Sequence, residues 1–418
     1  MKVASRPDAS SAADVTARVA GLLSDIEAGG EAHVRTLAAE YDGWHGPIAV
    51  DRETIAAAIR ELPNTVVDDI RTAHRHIRDF AQAQRDSLRE FEVEIAPGLI
   101  AGQRVVPVAT AGCYVPAGRF AHVASALMSV TTSSVAGVER VVVASPATAD
   151  RGGVHPAILF AADLAGADVV LGLGGVQAIG SLAFGLFTDD PADVIVGPGS
   201  ALVAEAKRQL FGRVGIDVIA GPTESMIVAD DSAEAHIVAT DLVSQAEHGP
   251  DSPVWLVTTS PRLAAEVLRL APRYAHALPK PARAWATDAW RDHGEIIVTD
   301  DREEAADVCD EYAPEHLQVM ASDLEWWKQR LRNYGSLFLG EETTVTFGDK
   351  SAGPNHTLPT GGAARYTGGL NVSKFLKQLT WQQMTREAAS VQAPIAARIS
   401  RLEGMEGHAR AADLRKDL

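Results

Sequence analysis

The sequence predicts an α/β protein with two Rossmann-like parallel-sheet domains, a helical N-terminal segment and a helical C-terminal tail. From about residue 104, short apolar runs such as VVVAS (141–145) alternate with helical stretches such as PAILFAADLAGA, and glycines stand at the turns. This alternation is typical of a parallel sheet that helices cover on both faces. The chain has 418 residues, more than one ordinary core holds, so at least two domains are expected.

The N-terminal segment, residues 12–92, predicts helices. AADVTARVAGLLSDIEAGG has apolar residues at helical spacing and ends in Gly-Gly. DRETIAAAIRELP begins with Asp51, a candidate N-cap, and ends at a proline. VVDDIRTAHRHIRDFAQAQRDSLREF is long and charged on one face.

Two sets of β-α units follow, and they define the predicted domains. The first set includes DVVLGLGG (168–175) and DVIVGPGS (193–200), and the second runs from SMIVADD to SLFLG. We predict a first domain from residues 1–113 plus 221–370, with the N-terminal helices and the catalytic site. Residues 114–220 form a second, nucleotide-binding domain. The polar tail, 371–418, is too small for a core of its own and is expected to pack on something else, such as another subunit.

Composition excludes several classes of function. The net charge of −17 argues against nucleic acid, because phosphate binding needs clustered Lys and Arg. No apolar run reaches the length of a membrane span, and the N-terminus lacks the apolar core of a signal peptide. The two cysteines, Cys113 and Cys309, form no Cys-x-x-Cys motif and are interpreted as buried structural thiols. Low cysteine usage fits the cytoplasm.

Glycine-rich turns follow two strands of the first set. GLGGVQAIG (172–180) opens a helix, the place where a dinucleotide pyrophosphate binds, although Gln177 stands where the third Gly of the strict pattern belongs. IVGPGS (195–200) is a second such turn. Each alone is equally explained as a plain tight turn, but two at one sheet edge favour a phosphate site.

Two pairs of polar residues could carry chemistry. Gln245 and His248 in SQAEHGPDS share a helix face and can meet one metal ion, unless His248 only caps the helix. Glu315 and His316 in EYAPEHLQV adjoin a short strand and can act as acid and base on one centre, unless they are an exposed pair.

The stretch GDKSAGPNHTLPTGGAARYTGG (348–369) predicts a long loop that carries Asp349 and His356. The tail motif LEGMEGHARAAD adds Glu403 and His408, which could equally belong to a solvated helix face. Oxygen and nitrogen ligands without sulfur suit zinc or manganese in an open catalytic site.

The motifs AGPTES, SQAEHGPDS, EYAPEHLQ, GDKSAGPNHTLPTGG and EGMEGHA stand in the order and spacing of the histidinol dehydrogenase family, which the chain resembles over almost its whole length. CYVPAG, GGVQAIG and VGPGS fit as well. The resemblance implies a zinc-dependent, NAD-linked enzyme that oxidises a primary alcohol to a carboxylate in two hydride steps. It also implies a homodimer in which each tail reaches into the partner's site.

The resemblance also implies residue roles. Zinc ligands fall on Gln245, His248, Asp349 and His408, and the acid–base pair on Glu315 and His316. Contacts to NAD fall on Tyr114, Gln177 and Ser200, the last of which is usually Asn in the family. Substrate contacts fall on Thr223, His356 and Glu403, together with the zinc ligands.

Departures from the family pattern bear on the substrate. A glutamate four residues before the zinc aspartate is replaced by Val345, a tyrosine after it by Lys350, and a serine by Thr223. One anion is lost and one cation gained near the expected zinc, a change that resembles homologues outside histidine biosynthesis. One of these oxidises 2,3-dihydroxypropane-1-sulfonate. A small non-histidinol alcohol is therefore the expected substrate, and histidinol itself the alternative.

Two other classes stay open at this stage. A metal-binding scaffold without catalysis would need neither Glu315 nor His316, although both are present. A zinc-independent NAD dehydrogenase would not need His408. The zinc content of the chain separates the second class from the favoured interpretation.

Overall fold

The computed structural model describes residues 1–4, 12–118 and 120–417. The chain forms two compact units, one of Met1–Gln82 with Ala109–Phe375 and one of Ala83–Val108 with Leu376–Leu418. The helices are α1 (Ala12–Asp42), α2 (Arg52–Glu61), α3 (Asn64–Ser87), α4 (Val123–Ala136), α5 (Pro156–Ala165), α6 (Gly175–Phe184), α7 (Ala201–Leu210), α8 (Ala235–Ala246), α9 (Pro261–Ala277), α10 (Ala282–His293), α11 (Arg302–Tyr312), α12 (Leu324–Arg330), α13 (Val345–Lys350), α14 (Arg386–Leu402) and α15 (Glu406–Asp413). The strands are β1 (Phe91–Ala96), β2 (Leu99–Pro107), β3 (Thr110–Tyr114), β4 (Arg140–Ser145), β5 (Val169–Gly172), β6 (Val194–Val196), β7 (Gly215–Ile216), β8 (Ser225–Ala229), β9 (Val254–Thr258), β10 (Gly294–Val298), β11 (His316–Met320), β12 (Ser336–Leu339) and β13 (Leu376–Met384).

The first unit contains two parallel five-stranded sheets, as the alternation of apolar runs and helices predicted. One has the strand order β5-β4-β3-β6-β7 and the other β10-β9-β8-β11-β12. The central strands are buried on both faces, which is why their sequences are continuously apolar rather than alternating. In the first sheet the chain order reverses between β3 and β6, the position at which open α/β sheets bind ligands.

The N-terminal helices differ from their predicted grouping with residues 221–370. Helix α1 packs on α6 and α7, and α2 packs on α5, so both cover the first sheet. Val19 and Ile26 of α1 belong to the same buried cluster as Ile179 of α6. The N-terminal segment also contacts residues 221–370, since Nδ1 of His76 in α3 lies 2.9 Å from the Ser351 backbone oxygen and Lys2 bridges to Ile296. The boundary predicted between residues 113 and 114 also falls inside β3.

The second unit corrects the expectation of a purely helical tail. Residues 376–384 form β13, which pairs along its whole length with β2, and β1 completes an antiparallel sheet of order β1-β2-β13. Helices α14 and α15 pack on each other. The sequence LKQLTWQQM was missed as a strand because both of its faces are polar and largely exposed.

The second unit exposes a row of apolar side chains. Val391, Ile395, Ile399 and Leu402 recur at helical spacing along α14, and all four are exposed. Phe91 of β1 is exposed as well. We call Val391, Ile395, Ile399 and Leu402 the α14 stripe.

Both cysteines are free and buried, in agreement with their structural interpretation. Burial raises the pKa of the Cys113 thiol to about 12, so this thiol stays protonated and is a poor nucleophile. Among the described residues, no helix is both long and apolar enough to cross a membrane.

Candidate active site

The residues predicted to carry chemistry in the first unit converge on the second sheet. Glu315 and His316 lie at the start of β11, the strand between β8 and β12, and both are buried. Gln245 and His248 lie at the end of α8. Asp349 belongs to the last turn of the short helix α13, so the stretch predicted as a loop from residue 348 begins as a helix.

The ring of His316 is held in one orientation by the backbone of Glu224. The Nδ1 atom of His316 is 3.1 Å from the Glu224 carbonyl oxygen. Because a carbonyl oxygen only accepts, Nδ1 carries the hydrogen and donates it, which leaves Nε2 as the atom that can take a proton. Nε2 lies 3.4 Å from Oδ1 of Asp349 and makes no well-formed hydrogen bond to any described residue.

The Glu315 carboxylate is fixed by the same residue. Its Oε2 accepts the amide hydrogen of Glu224 at 2.9 Å and lies 3.5 Å from Nδ1 of His316. Burial raises the pKa of Glu315 to about 8, although His316 opposes the shift. Burial alone would lower the pKa of His316, but Glu315 and Asp349 outweigh it and raise that pKa to about 9. The buried carboxylate and imidazole are close enough to share one proton between them, an arrangement that suits general acid–base chemistry.

Three side chains offer metal donors at this place. Burial would raise the pKa of Asp349, but the close contact with His316 and its charge outweigh burial and hold that pKa well below its usual range. Oδ2 of Asp349 is 4.0 Å from Nε2 of His248, and burial lowers the pKa of His248 to about 4. Oε1 of Gln245 is buried and has no hydrogen-bond partner among the described residues.

This donor set fits zinc in part. An anionic oxygen, a neutral imidazole and an orphaned amide oxygen are ligands that zinc accepts, and they leave room for a fourth. Among the described residues, no group of three or more His, Cys, Asp or Glu side chains could hold a metal ion.

His356 supports Asp349 rather than pointing freely at the site. Its Nδ1 donates to the backbone oxygen of Asp349 at 2.9 Å, so its Nε2 accepts from the hydroxyl of Ser125 at 2.8 Å. Both ring nitrogens are therefore occupied within the chain. The predicted substrate contact through this ring requires the hydrogen bond between the Ser125 hydroxyl and Nε2 of His356 to break.

A small cavity adjoins the site. It has a volume of about 110 Å³, and its lining includes His316, Asp349, His356 and Phe338. The Phe338 ring centroid is 6.0 Å from that of His316. A side chain at Gly348 would bring a Cβ within 2.5 Å of the same ring, so glycine lets α13 approach β12 closely.

Two residues near the site were missed by sequence reasoning. His122 precedes α4 as its N-cap, and its pKa is lowered to about 4 by burial, with His356 and His248 adding to the effect. Glu224 acts mainly through its backbone, so its side-chain type gave no signal. The lone histidine in FAHVASALM also carries no pattern, because α4 is brought to the site only by tertiary folding.

The residues predicted to bind the cofactor lie at the carboxyl edge of the first sheet. Tyr114 ends β3, and its hydroxyl accepts the Gly175 amide hydrogen at 3.3 Å. Gln177 is buried in α6 and donates to Asp42 at 3.1 Å. Ser200 is exposed at the N-cap of α7 without capping through its side chain. These positions surround the point where the strand order reverses.

The remaining predicted residues are Thr223, Glu403 and His408. Thr223 is half-buried beside Glu224 and precedes β8. Glu403 and His408 belong to the second unit, at the end of α14 and on α15, and both are exposed.

Comparison with known proteins agrees with this geometry. The family model of histidinol dehydrogenase matches residues 5–416. The chain is 54% identical over 415 residues to sulfopropanediol 3-dehydrogenase of Ruegeria pomeroyi, covering 99% of this chain and 95% of that protein. It is 57% identical over 404 residues to a histidinol dehydrogenase homolog of the same organism, covering 97% and 92%.

A solved structure shows the same fold. The crystal structure of histidinol dehydrogenase from Elizabethkingia anophelis superposes with a TM-score of 0.90 at 30% identity, covering 98% of this chain and 96% of that one. The family model, the relatives and the fold therefore agree, and the chain belongs to the histidinol dehydrogenase family of oxidoreductases.

Proposed function

We propose that this chain is a zinc-dependent, NAD-linked dehydrogenase that oxidises a small polar primary alcohol to the carboxylate in two hydride-transfer steps. The observation that carries the proposal is the buried trio of Glu315, His316 and Asp349, in which one imidazole nitrogen faces a carboxylate that is suited to a metal. A scaffold that only bound metal would have no use for a second buried carboxylate beside that imidazole.

Zinc would be held by Gln245, His248 and Asp349, with His408 as the fourth ligand. Zinc held there would supply a Lewis acid that polarises the alcohol oxygen, and NAD held at the edge of the first sheet would supply the hydride acceptor. Tyr114, Gln177 and Ser200 surround the reversal of strand order, where dinucleotides bind in α/β sheets.

The chain's own residues move the protons. Nε2 of His316 takes the hydroxyl proton of the alcohol as hydride leaves, since Nδ1 is engaged with Glu224. The resulting aldehyde must gain water before the second hydride leaves. Glu315 takes the proton of that water as general base, with its Oε2 anchored by the Glu224 amide. A cysteine thiohemiacetal is not needed, which agrees with the burial of both thiols.

We propose an anionic alcohol, such as 2,3-dihydroxypropane-1-sulfonate, as the substrate. Lys350 is exposed at the end of α13. Burial is the main cause that lowers the pKa values of His248 and His356, and the charge of Lys350 adds to it, so Lys350 lies within electrostatic reach of the site. Such a cation can pair with a sulfonate or carboxylate. The similarity to a relative named sulfopropanediol 3-dehydrogenase also supports an anionic substrate.

Substrate preference provides the direct test. We expect kcat/KM for histidinol to lie far below about 10⁴ M⁻¹s⁻¹, the lower end for enzymes on their own substrates, and that for the sulfonated diol to lie above it. In Lys350→Met the value for the sulfonated diol should fall, whereas an uncharged diol should be spared. Lys350→Arg is the matched control that keeps the charge. The rate of NADH formation gives kcat/KM for each substrate in the unmodified enzyme and in both variants.

The alternative is a true histidinol dehydrogenase of histidine biosynthesis, and the family and the fold favour it equally. A kcat/KM for histidinol at or above about 10⁴ M⁻¹s⁻¹ would establish it and reject the anionic substrate. Val345 is buried, so a Val345→Glu variant would place a carboxylate in the interior. Changes at Lys350 are therefore the cleaner probe.

We also propose that the protein works as a homodimer in which the tail of each chain completes the partner's site. The exposed α14 stripe supports this, because contiguous exposed apolar side chains mark association surfaces. Glu403 and His408 lie in the same unit as the stripe and are exposed in the single chain. No nucleic acid or membrane partner is proposed.

Complementation tests this assembly. A His408→Ala chain and a Glu315→Gln chain should each be nearly inactive in aldehyde oxidation. In a mixed dimer, one site combines the intact core of the first chain with the intact tail of the second, so about half of the sites should recover.

The control mixes the His408→Ala chain with a chain that carries both substitutions. No site in that mixed dimer has both an intact core and an intact tail, so no activity should return. Verified mixed dimers that recover nothing would mean that each chain uses its own tail.

A further inference from the structure

The first sheet contains a buried ion pair that the proposed chemistry does not use. Lys207, on the second turn of α7, contacts Asp217, which follows β7, and both side chains are almost completely buried. Asp217 also accepts the Val218 amide hydrogen at 2.7 Å. Two buried charges lose their hydration, so such a pair is weak evidence for stability, and apolar replacement is often neutral or better.

The ion pair binds both backbone polar groups of Gly197. Nζ of Lys207 donates to the Gly197 oxygen at 2.9 Å, and Oδ2 of Asp217 accepts the Gly197 amide hydrogen at 2.7 Å. Gly197 directly follows β6 and so has no ladder partner beyond the end of that strand. Without the pair, a buried donor and a buried acceptor would be left unsatisfied.

Gly197 stands where only glycine fits. Its φ of +119° disfavours any side chain, and a Cβ would collide with the carbonyl oxygen of Tyr114. At Gly199 a Cβ would lie 3.1 Å from the Tyr114 ring. Residues 197–199 therefore pack tightly against the end of β3. The ion pair fixes the orientation of the Gly197 peptide groups, and this orientation determines the path of the backbone toward Ser200.

We propose that Lys207 and Asp217 are positioning residues that hold loop 197–199 against Tyr114 in the shape that receives the nicotinamide dinucleotide. The inference rests on the proposed use of NAD. The pair is neutral as a whole and lies beneath the loop, so it acts through the backbone rather than on the cofactor. A purely stabilising pair would instead be replaceable by apolar residues without effect on cofactor binding.

The test is a double variant, Lys207→Met with Asp217→Leu, which removes both charges at similar volume. We expect a folded variant with a lowered melting temperature, because the backbone groups of Gly197 lose their partners. At a temperature where it is folded, the NADH dissociation constant should rise about 10- to 100-fold and KM for NAD should rise with it, since small misplacements cost this much. The KM for the alcohol and kcat at saturating NAD should change little. NADH fluorescence titration without alcohol gives the binding constant independently of turnover.

A second variant tests the contact to the Gly197 amide by itself. Asp217→Asn keeps an acceptor for Lys207 but turns a donor toward the Gly197 amide, so NADH should bind more weakly while the ion-pair partner stays in place. Arg208→Met is the matched control, because Arg208 lies on the same helix, is exposed and, among the residues that the structure describes, hydrogen-bonds to Glu205.

Unchanged NADH binding in the folded double variant and in Asp217→Asn overturns the positioning role alone. Failure of the unmodified, zinc-loaded chain to bind NADH overturns the proposed function together with it.

Discussion

Replacing His248 by alanine should abolish zinc binding and activity together while the fold persists. The imidazole is neutral near pH 7 because burial lowers its pKa to about 4, so it is ready to bind a metal. We expect zinc to fall from about one ion per chain to about zero. Loss of a Lewis acid worth several kcal/mol should lower kcat/KM by about 10³-fold or more. Elemental analysis and NADH formation measure the two effects.

The matched control is His236→Ala on the same helix, which removes an exposed imidazole that contacts Tyr274. It should retain both zinc and activity. Full zinc occupancy in folded His248→Ala protein, with the fold checked by circular dichroism, would contradict the assignment of this ligand.

Changing Glu315 to glutamine should separate the two oxidation steps. Glutamine keeps the size of the side chain and an oxygen for the Glu224 amide, but it cannot take a proton from water. Alcohol oxidation should therefore be spared, whereas oxidation of supplied aldehyde should slow by roughly 10²–10⁴-fold, the usual contribution of general base catalysis. Single-turnover measurements with alcohol and with aldehyde resolve the steps.

Glu311→Gln provides the control, because Glu311 is an exposed carboxylate four residues earlier in the same segment. It should leave both steps unchanged. An aldehyde step as fast in Glu315→Gln as in the unmodified enzyme would exclude Glu315 as the base.

The sequence was most informative where local pattern and burial coincide. The strands β4, β8 and β9 read as apolar runs because both of their faces are buried, so the parallel sheets were predictable. Glu315 and His316 are neighbours in sequence and remain neighbours in the site. Gln245 lies within α8, and His248 follows in the turn after the helix, where its amide donates to the Gln245 backbone oxygen at 3.2 Å.

Contacts between distant segments were beyond local patterns. Glu224 and His316 are 92 residues apart and meet through a backbone oxygen, for which any residue type would serve. The placement of α1 on the first sheet depends on a choice between two apolar surfaces of similar character. The pairing of β13 with β2 joins residues more than 250 positions apart, and its polar sequence gives no sign of a partner.

The position of the catalytic pair in the fold bears on how such enzymes diverge. His316 begins a strand that is buried throughout and has neighbours on both sides, so substitutions there disturb the sheet as well as the chemistry. Lys350 stands at the exposed end of a six-residue helix, where a change of charge disturbs no core. Substitutions are thus tolerated less well at His316 than at Lys350, although both belong to the same proposed site. A lineage can change its substrate through the permissive position while it inherits the proton chemistry intact.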